Sequence, residues 1–221
     1  NDYFLKIMKP YDYAEREDYV FDFTRNTGGH TGIVSAFRFD PTGTKFATAG
    51  NGGQIRVVAL ADIRRTIFRA DAANLGWIYG LDWSPTGRYL AAATEHNILV
   101  FDLEDNNRQI FRYPEAGEGR VSRRVAFSPD GRHLAWAMRD GTIILVDVAQ
   151  WPWREIHQWK PEEGGFRPDA VLVPLGFSPD GQYLAAARNG RLKIFDVASK
   201  NTVFDFKGRT IDTAAAIRYD H

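Results

Sequence analysis

The chain has 221 residues, of which 44% are hydrophobic and 25% charged, with 20 Gly and 10 Pro. This composition excludes disordered, collagen-like and low-complexity proteins and is typical of a folded protein with a real core. The 28 basic residues balance the 28 acidic ones, and there is no cysteine. No whole-chain charge therefore favours nucleic acid or an acidic membrane, and disulfides, thiolate metal sites and thiol nucleophiles are excluded.

Two sequence signals bear on location. No run approaches the roughly 18 consecutive apolar residues of a membrane-spanning helix, and no signal-like segment opens the chain. We therefore expect a cytoplasmic protein. We also expect that it carries no cofactor. Because the chain begins at Asn1 rather than at a methionine, we expect a processed or excerpted piece.

In chain order, the first elements are two short apolar runs, Leu5–Met8 and Tyr19–Phe23. A turn phrase with Pro and Gly then recurs four times, with Gly-to-Gly spacings of 44, 44 and 50 residues. Proline fixes φ and glycine allows positive φ, so each phrase predicts a turn between two strands. The four copies are Phe39–Gly43, Trp83–Gly87, Phe127–Gly131 and Phe177–Gly181.

Three further apolar runs follow each turn and predict the second, third and fourth strands of a repeated unit. The second strands are Lys45–Ala49, Tyr89–Ala93, His133–Ala137 and Tyr183–Ala187. The third strands are Ile55–Ala59, Ile98–Asp102, Ile143–Asp147 and Leu192–Asp196. The fourth strands are Thr66–Arg69, Gln109–Arg112, Glu155–Gln158 and Thr202–Asp205.

Four short strands in each unit of about 44 residues, without helical periodicity, predict an all-β fold, a β-propeller of four-stranded antiparallel blades. The whole chain, 1–221, forms one propeller or propeller segment with four complete units and partial blades at both ends. Ala216–Tyr219 matches a first strand, and no second strand lies between it and Leu5. We favour a segment of a larger propeller, with a self-contained five-bladed ring as the alternative. The units are 33–70, 77–113, 121–159 and 170–207, and the partial blades are 1–24 and 212–221.

These phrases resemble the WD40-repeat family, whose first strands end in Phe-Ser-Pro-Asp-Gly and whose third strands end in an apolar residue and Asp. The Trp that family members commonly carry at the third-strand end is absent from all four units. Gly29-His30 is the one Gly-His pair, and its unit has Gly52 where the Asp of the family's polar tetrad belongs, a place that Asp140 fills only in the third unit. We therefore expect apolar packing, rather than a repeated tetrad, to hold the blades together.

The sequence offers no catalytic constellation. Ser84, Ser128 and Ser178 recur by symmetry and are interpreted as turn residues, since a nucleophile needs one unique base nearby. Asp102, Asp147 and Asp196 also recur and are expected to cap the turns that follow them. No pair of the five His has metal-site spacing, and His157 replaces the Phe of its sister units, which predicts a half-buried position. The glycine-rich Gly50–Gly53 lies between two strands and predicts a hairpin turn.

Candidate binding residues gather on the rim opposite the Pro-Gly turns. Nearby acidic side chains counter the arginines there, which disfavours nucleic acid. The extra length of the third unit predicts a protruding loop with Phe166 and Arg167 at its tip, while Trp153 and Trp159 are expected to pack beneath it. Trp77, at the start of a first strand, is either core or an exposed anchor. The rim arginines are Arg120, Arg123, Arg139, Arg188 and Arg191.

The resemblance implies a non-catalytic scaffold or sensing module that binds protein partners on a propeller rim, within a larger protein or complex. Two alternatives stay open. One is an enzyme-associated propeller, such as one that gates a hydrolase, which a unique polar cluster in the channel would favour. The other is a nucleic-acid-binding propeller that uses the arginine rim.

Overall fold

The computed structural model describes residues 4–7, 19–22, 30, 32–71, 75–113, 122–138, 140–160, 174–188 and 191–207. Eighteen β-strands lie within them. A hairpin of β1 (Phe4–Ile7) and β2 (Tyr19–Asp22) precedes four four-stranded antiparallel sheets. The first sheet contains β3 (Val34–Phe39), β4 (Lys45–Gly50), β5 (Gln54–Ala59) and β6 (Asp62–Asp71), and the second β7 (Ile78–Trp83), β8 (Tyr89–Thr94), β9 (Ile98–Asp102) and β10 (Arg108–Tyr113). The third contains β11 (Ser122–Phe127), β12 (His133–Met138), β13 (Ile143–Asp147) and β14 (Arg154–Trp159), and the fourth β15 (Leu175–Phe177), β16 (Tyr183–Arg188), β17 (Arg191–Asp196) and β18 (Thr202–Lys207).

In each sheet the strands pair in chain order, so every sheet is a meander. The Pro-Gly turns join first to second strands, as predicted. In the third sheet, Ser128 N donates to the carbonyl of His133 at 2.9 Å, and His133 N donates back to Ser128 Oγ at 2.9 Å. Ser84 and Ser178 make the same pair of bonds, so the interpretation of these serines as turn residues is confirmed. The glycines that close the four turns have φ of 67° to 74°, a conformation that side chains disfavour.

The aspartates that end three third strands cap the turns after them, as the sequence predicts. Asp102 Oδ1 accepts hydrogen bonds from the backbone N–H of Glu104 and Asp105, at 3.0 and 3.2 Å. Asp147 Oδ1 accepts one from Ala149 at 2.9 Å, and Asp196 Oδ1 one from Ser199 at 2.7 Å. Because each carboxylate satisfies backbone donors of its own turn, its recurrence is explained by local structure.

Apolar clusters fill the spaces between adjacent sheets. Strand β9, for example, is buried on both faces, because Ile98 and Val100 pack toward the third sheet while Leu99 and Phe101 pack toward the first. A further cluster joins the third and fourth sheets through Leu145, Trp159 and Phe195. The core is thus divided into layers that each bind one sheet to the next, which is the packing of successive blades.

The first strand of each sheet is the innermost, since β3, β7, β11 and β15 contact one another in succession. Two hydrogen bonds tie β3 to β7. Ser35 Oγ donates to the Ile78 carbonyl at 2.6 Å, and Trp83 Nε1 donates to the Arg38 carbonyl at 3.2 Å. Sheets that fan outward from adjoining first strands are arranged as propeller blades.

Candidate functional site

The ends of the innermost strands define two rims. The upper rim comprises the segments that lead into the first strands, together with the turns between second and third strands. The lower rim carries the Pro-Gly turns. Trp77, immediately before β7, is 41% exposed, as is Ile33 at the equivalent place before β3. The sequence allowed Trp77 to be either a buried core residue or an exposed binding anchor, and the structure places it at the surface of the upper rim.

Trp77 does not stand alone on this rim. Its indole stacks on the Tyr79 ring, with centroids 5.9 Å apart and an interplanar angle of 22°. Its backbone N–H donates to Glu95 Oε2 at 3.3 Å, which ties the segment to the turn between β8 and β9. The neighbouring Gly76 has φ of +62°, and an added Cβ would lie 2.4 Å from the same carboxylate oxygen. The segment immediately before β7 therefore packs closely against the Glu95 side chain.

A β-bulge occurs at the same position of three first strands. The register of β7 with β8 skips Tyr79, that of β3 with β4 skips Ser35, and that of β11 with β12 skips Arg123. A bulge redirects the side chain of the extra residue and increases the local twist. Arg123 thus occupies on β11 the position that Tyr79 occupies on the adjoining β7. Trp77, immediately before β7, and Arg123, on the adjoining β11, are both predicted binding residues and lie at the upper ends of neighbouring strands.

The structure assigns Arg191 a bond within its own sheet. Its Nε and a terminal nitrogen donate to the two carboxylate oxygens of Asp205 at 2.7 and 2.5 Å, across β17 and β18. This guanidinium holds the pKa of Asp205 below its ordinary value. The backbone of Arg188 pairs with that of Arg191 at the end of the β16–β17 hairpin. Arg120, Arg139, Phe166 and Arg167 lie outside the described residues.

Charged residues of three first strands converge below the upper rim: Arg38 and Asp82 lie one residue before the ends of β3 and β7, near the Pro-Gly turns, and Arg124 lies in the upper half of β11. We call Arg38, Asp82 and Arg124 the inner charge row. Asp82 Oδ2 accepts a hydrogen bond from Phe127 N of the next sheet at 2.8 Å, and its Oδ1 lies 3.7 Å from Arg38 Nε of the preceding sheet. The Arg38 side chain is 54% exposed and that of Asp82 25%. One carboxylate therefore sits beside an accessible guanidinium at the inner edge of three sheets.

Electrostatic effects distinguish the members of the row. Burial raises the pKa of Asp82 to about 6, although the bond from Phe127 and the charge of Arg38 act in the opposite direction. Burial lowers the pKa of Arg124, and the positive charge of Arg38 lowers it further. The positive charge of Arg38 thus acts on the Arg124 guanidinium, and the three side chains together carry a net positive charge when Asp82 is ionised.

Sequence reasoning did not identify the inner charge row, although a signal was present. Arg38 and Asp82 pair in register with Ala47 and Ala91 of the second strands. At the equivalent places, the third and fourth sheets carry the small residues Ala126 and Gly176. A charged side chain where sister units have a small one is a departure from the repeat. Recognising the row also requires the knowledge that the first strands adjoin.

The lower rim presents a different aromatic group. Trp151 is 65% exposed, and its ring centroid lies 6.2 Å from that of Trp153. Trp153 is half-buried against Tyr89 and Phe111 of the preceding sheet. Trp159 is buried, and its Nε1 donates to the Lys200 carbonyl at 2.7 Å. Both side chains thus pack against neighbouring sheets, while the loop beneath which they were predicted to pack lies outside the described residues.

Two histidines, His30 and His157, make contacts within the blades. His30 is buried, its Nε2 lies 2.9 Å from Thr48 Oγ1, and burial followed by the charge of Arg56 lowers its pKa to about 4. In the same sheet Gly52 and Val58 offer no polar side chain, so the tetrad is incomplete there, as expected. His157 is half-buried against Trp159, as predicted.

Within the described ranges, no group of three or more His, Cys, Asp or Glu could hold a metal ion. No helix in these ranges is long and apolar enough to cross a membrane.

Comparisons with known proteins agree with this architecture. Residues 81–166 match the family described as the anaphase-promoting complex subunit 4 WD40 domain, and residues 21–58 and 172–196 match the WD domain, G-beta repeat. The small ribosomal subunit protein RACK1 of Candida albicans is 29% identical over 144 residues, which cover 62% of this chain and 41% of that protein. MST50-interacting protein 11 of Pyricularia oryzae is 31% identical over 121 residues, covering 52% of this chain and 37% of that protein.

A solved structure shows the same fold. The β-propeller domain of Cps50 (Swd1) from Myceliophteria thermophila superimposes with a TM-score of 0.66 at 18% sequence identity, covering 80% of this chain and 56% of that domain. The chain spans about two fifths of the length of the curated relatives it matches. Two WD40 family matches, in-register repeats and sheets that fan from adjoining first strands lead to one conclusion: the chain belongs to the WD40-repeat family, and its four-stranded sheets are blades of a β-propeller.

Proposed function

We propose that this chain is a non-catalytic interaction module that binds a protein partner through its upper rim, as part of a larger protein or complex. The observation that carries the proposal is the exposed Trp77 indole, which stacks on the half-buried Tyr79 of the bulged strand β7, beside the strand that bears Arg123. Cytoplasmic location remains a prediction from the sequence.

The chemistry of these residues favours a protein partner. Trp, Tyr and Arg dominate the hot spots of protein interfaces, because each buries a large rigid area and retains a polar group for a specific bond. Here Tyr79 belongs to a strand that is hydrogen-bonded on one side and packed against two neighbouring sheets, and Trp77 immediately precedes that strand. Little conformational entropy is lost when such a pre-ordered surface binds. The names of the matched relatives, an interacting protein and ribosomal subunit proteins, are consistent with this role.

The inner charge row bears on the enzyme alternative, since a unique polar cluster near the axis would favour it. Asp82 is bonded to Phe127 N and lies near Arg38. Among the described residues, its contacts include no hydroxyl, imidazole or second carboxylate. Acid–base and nucleophilic catalysis require such a second group. The row is therefore better suited to binding than to reaction.

Comparative affinity capture tests the proposal. The tagged chain and its Trp77→Ala/Tyr79→Ala variant are used with extract of the source cells, and captured proteins are quantified by mass spectrometry. We expect at least one protein to fall by roughly tenfold or more, as truncation of hot-spot aromatics costs about 2 kcal/mol or more. Trp151→Ala, on the lower rim, is the matched control and should retain that protein. Equal recovery with all three chains would contradict an upper-rim site.

A further inference from the structure

We propose that the inner charge row is a receptor for an acidic peptide segment, whose carboxylates enter between the first strands and bind Arg38. This inference extends the proposed function, because the segment would belong to the partner bound on the upper rim. It assigns the partner a chemistry: a stretch of Asp or Glu adjoining its rim-binding surface.

The first support is the state of Arg38. Its side chain is 54% exposed, and the closest approach of its Nε to Asp82 is 3.7 Å, longer than a hydrogen bond. A guanidinium presents five donors in a planar fork that matches a carboxylate bidentately. Arg191 and Asp205 show what such a pair looks like when complete, with two bonds of 2.7 and 2.5 Å. Arg38 lacks a contact of that quality with Asp82 and can offer one to a ligand.

The second support is charge. Arg38 and Arg124 contribute two positive charges and Asp82 one negative charge, and the guanidiniums are close enough for one to lower the pKa of the other. An entering carboxylate would relieve this repulsion. Because the row lies at the partly buried inner edge of the sheets, an ion pair there is screened less than one on the open surface.

The third support is the continuity of the first strands between the upper rim and the inner charge row. Along β7, Gly80 directly follows Tyr79 of the rim, and along β11, Arg124 directly follows Arg123. Asp82 lies three residues beyond Tyr79, and Arg38 is at the equivalent level of β3. A chain lying against the rim stack therefore needs to extend about three residues, roughly 10 Å, to reach Arg38.

An acidic peptide fits better than a nucleic acid. The chain has no net charge to attract a polyanion over a distance. Nucleic-acid affinity comes mainly from many phosphate contacts along an extended basic surface, whereas this row presents two guanidiniums with a carboxylate between them. Such a set favours one or two carboxylates over a long phosphate backbone.

Fluorescence anisotropy tests the inference. The probe is a fluorescein-labelled octapeptide of alternating glutamate and glycine, and the control peptide carries glutamine in place of glutamate. We expect the acidic peptide alone to bind, with affinity that falls as salt is raised. Arg38→Gln should weaken binding by about tenfold, the equivalent of 1.4 kcal/mol. Asp82→Asn should strengthen it by roughly threefold or more, since a competing negative charge is removed. Arg38→Lys should retain part of the affinity. Circular dichroism and urea unfolding establish that each variant is folded.

Several outcomes would overturn the inference: equal binding of both peptides, no loss with Arg38→Gln in a folded variant, or weaker binding with Asp82→Asn. A single-stranded oligonucleotide of the same charge that displaces the peptide more effectively than unlabelled peptide would assign the row to nucleic acid instead. If these tests fail while Trp77→Ala/Tyr79→Ala still loses its captured protein, the acidic segment is wrong and the upper-rim interaction stands.

Discussion

Replacing Trp136 with alanine tests whether apolar packing between sheets holds the blades together. Trp136 is fully buried between the second and third sheets, and its ring lies 4.9 Å from that of Tyr113 and 6.2 Å from that of Phe111. The equivalent positions in the other units are Thr48, Ala92 and Ala186, so this indole is an unusually large contribution to one layer.

The expected cost of Trp136→Ala is about 3 to 5 kcal/mol, the usual range for removing a buried aromatic side chain and leaving a cavity. The indole Nε1 has no hydrogen-bond partner among the described residues, so the loss measures packing rather than a broken bond. Trp136→Phe should therefore cost much less, about 1 to 2 kcal/mol, since it keeps a ring in the layer.

Urea unfolding at 25 °C, followed by circular dichroism, measures these differences. The midpoint should fall with little change in slope if the native sheets remain intact. Trp151→Ala is the control, because this residue is 65% exposed and its loss should change stability by no more than about 0.5 kcal/mol. A loss below about 1 kcal/mol for Trp136→Ala would refute the reasoning that inter-sheet packing provides cohesion.

Three other perturbations give distinct results. Ser128→Ala should cost about 1 to 3 kcal/mol in urea unfolding, because the buried Oγ that accepts the His133 N–H is removed; a neutral effect would deny that the turn depends on this bond. Asp82→Asn should alter the pH dependence of stability, because the pKa of Asp82 rises to about 6 on folding. The free energy of unfolding of the unaltered chain should therefore fall by up to about 3 kcal/mol as pH rises from 4 to 7, and the variant should lack this loss. His30→Gln should remove a pH dependence of the opposite sign, because the pKa of His30 falls to about 4 on folding. The unaltered chain should lose stability as pH falls from about 6.5 to 4. Urea titrations in which the variant shows the same loss would exclude His30 as its source.

The sequence predicted the elements that depend on local chemistry. The Pro-Gly turns and the Asp caps are formed by residues within a few positions of one another, so a single repeat unit contains the information for them. Both faces of strands such as β9 are apolar, which fits a strand buried between two sheets.

The features that escaped prediction depend on contacts between distant parts of the chain. The bulges at Ser35, Tyr79 and Arg123 are register changes, and residues as different as Ser, Tyr and Arg occupy them. The approach of Arg38 to Asp82 joins residues 44 positions apart on adjacent sheets. The pairing of Arg191 with Asp205 depends on the register of β17 with β18, which the strand patterns alone did not define.

Site-specific photocrosslinking tests the central claim, that the upper rim is where a partner binds. A benzophenone amino acid at position 77 is compared with the same residue at position 151 on the lower rim, in the chain expressed in its source cells. Position 77 should crosslink to a discrete partner protein, and the Arg38→Gln variant should reduce its yield if an acidic segment enters the inner charge row. Crosslinking to that partner from position 151, with none from position 77, would contradict the account.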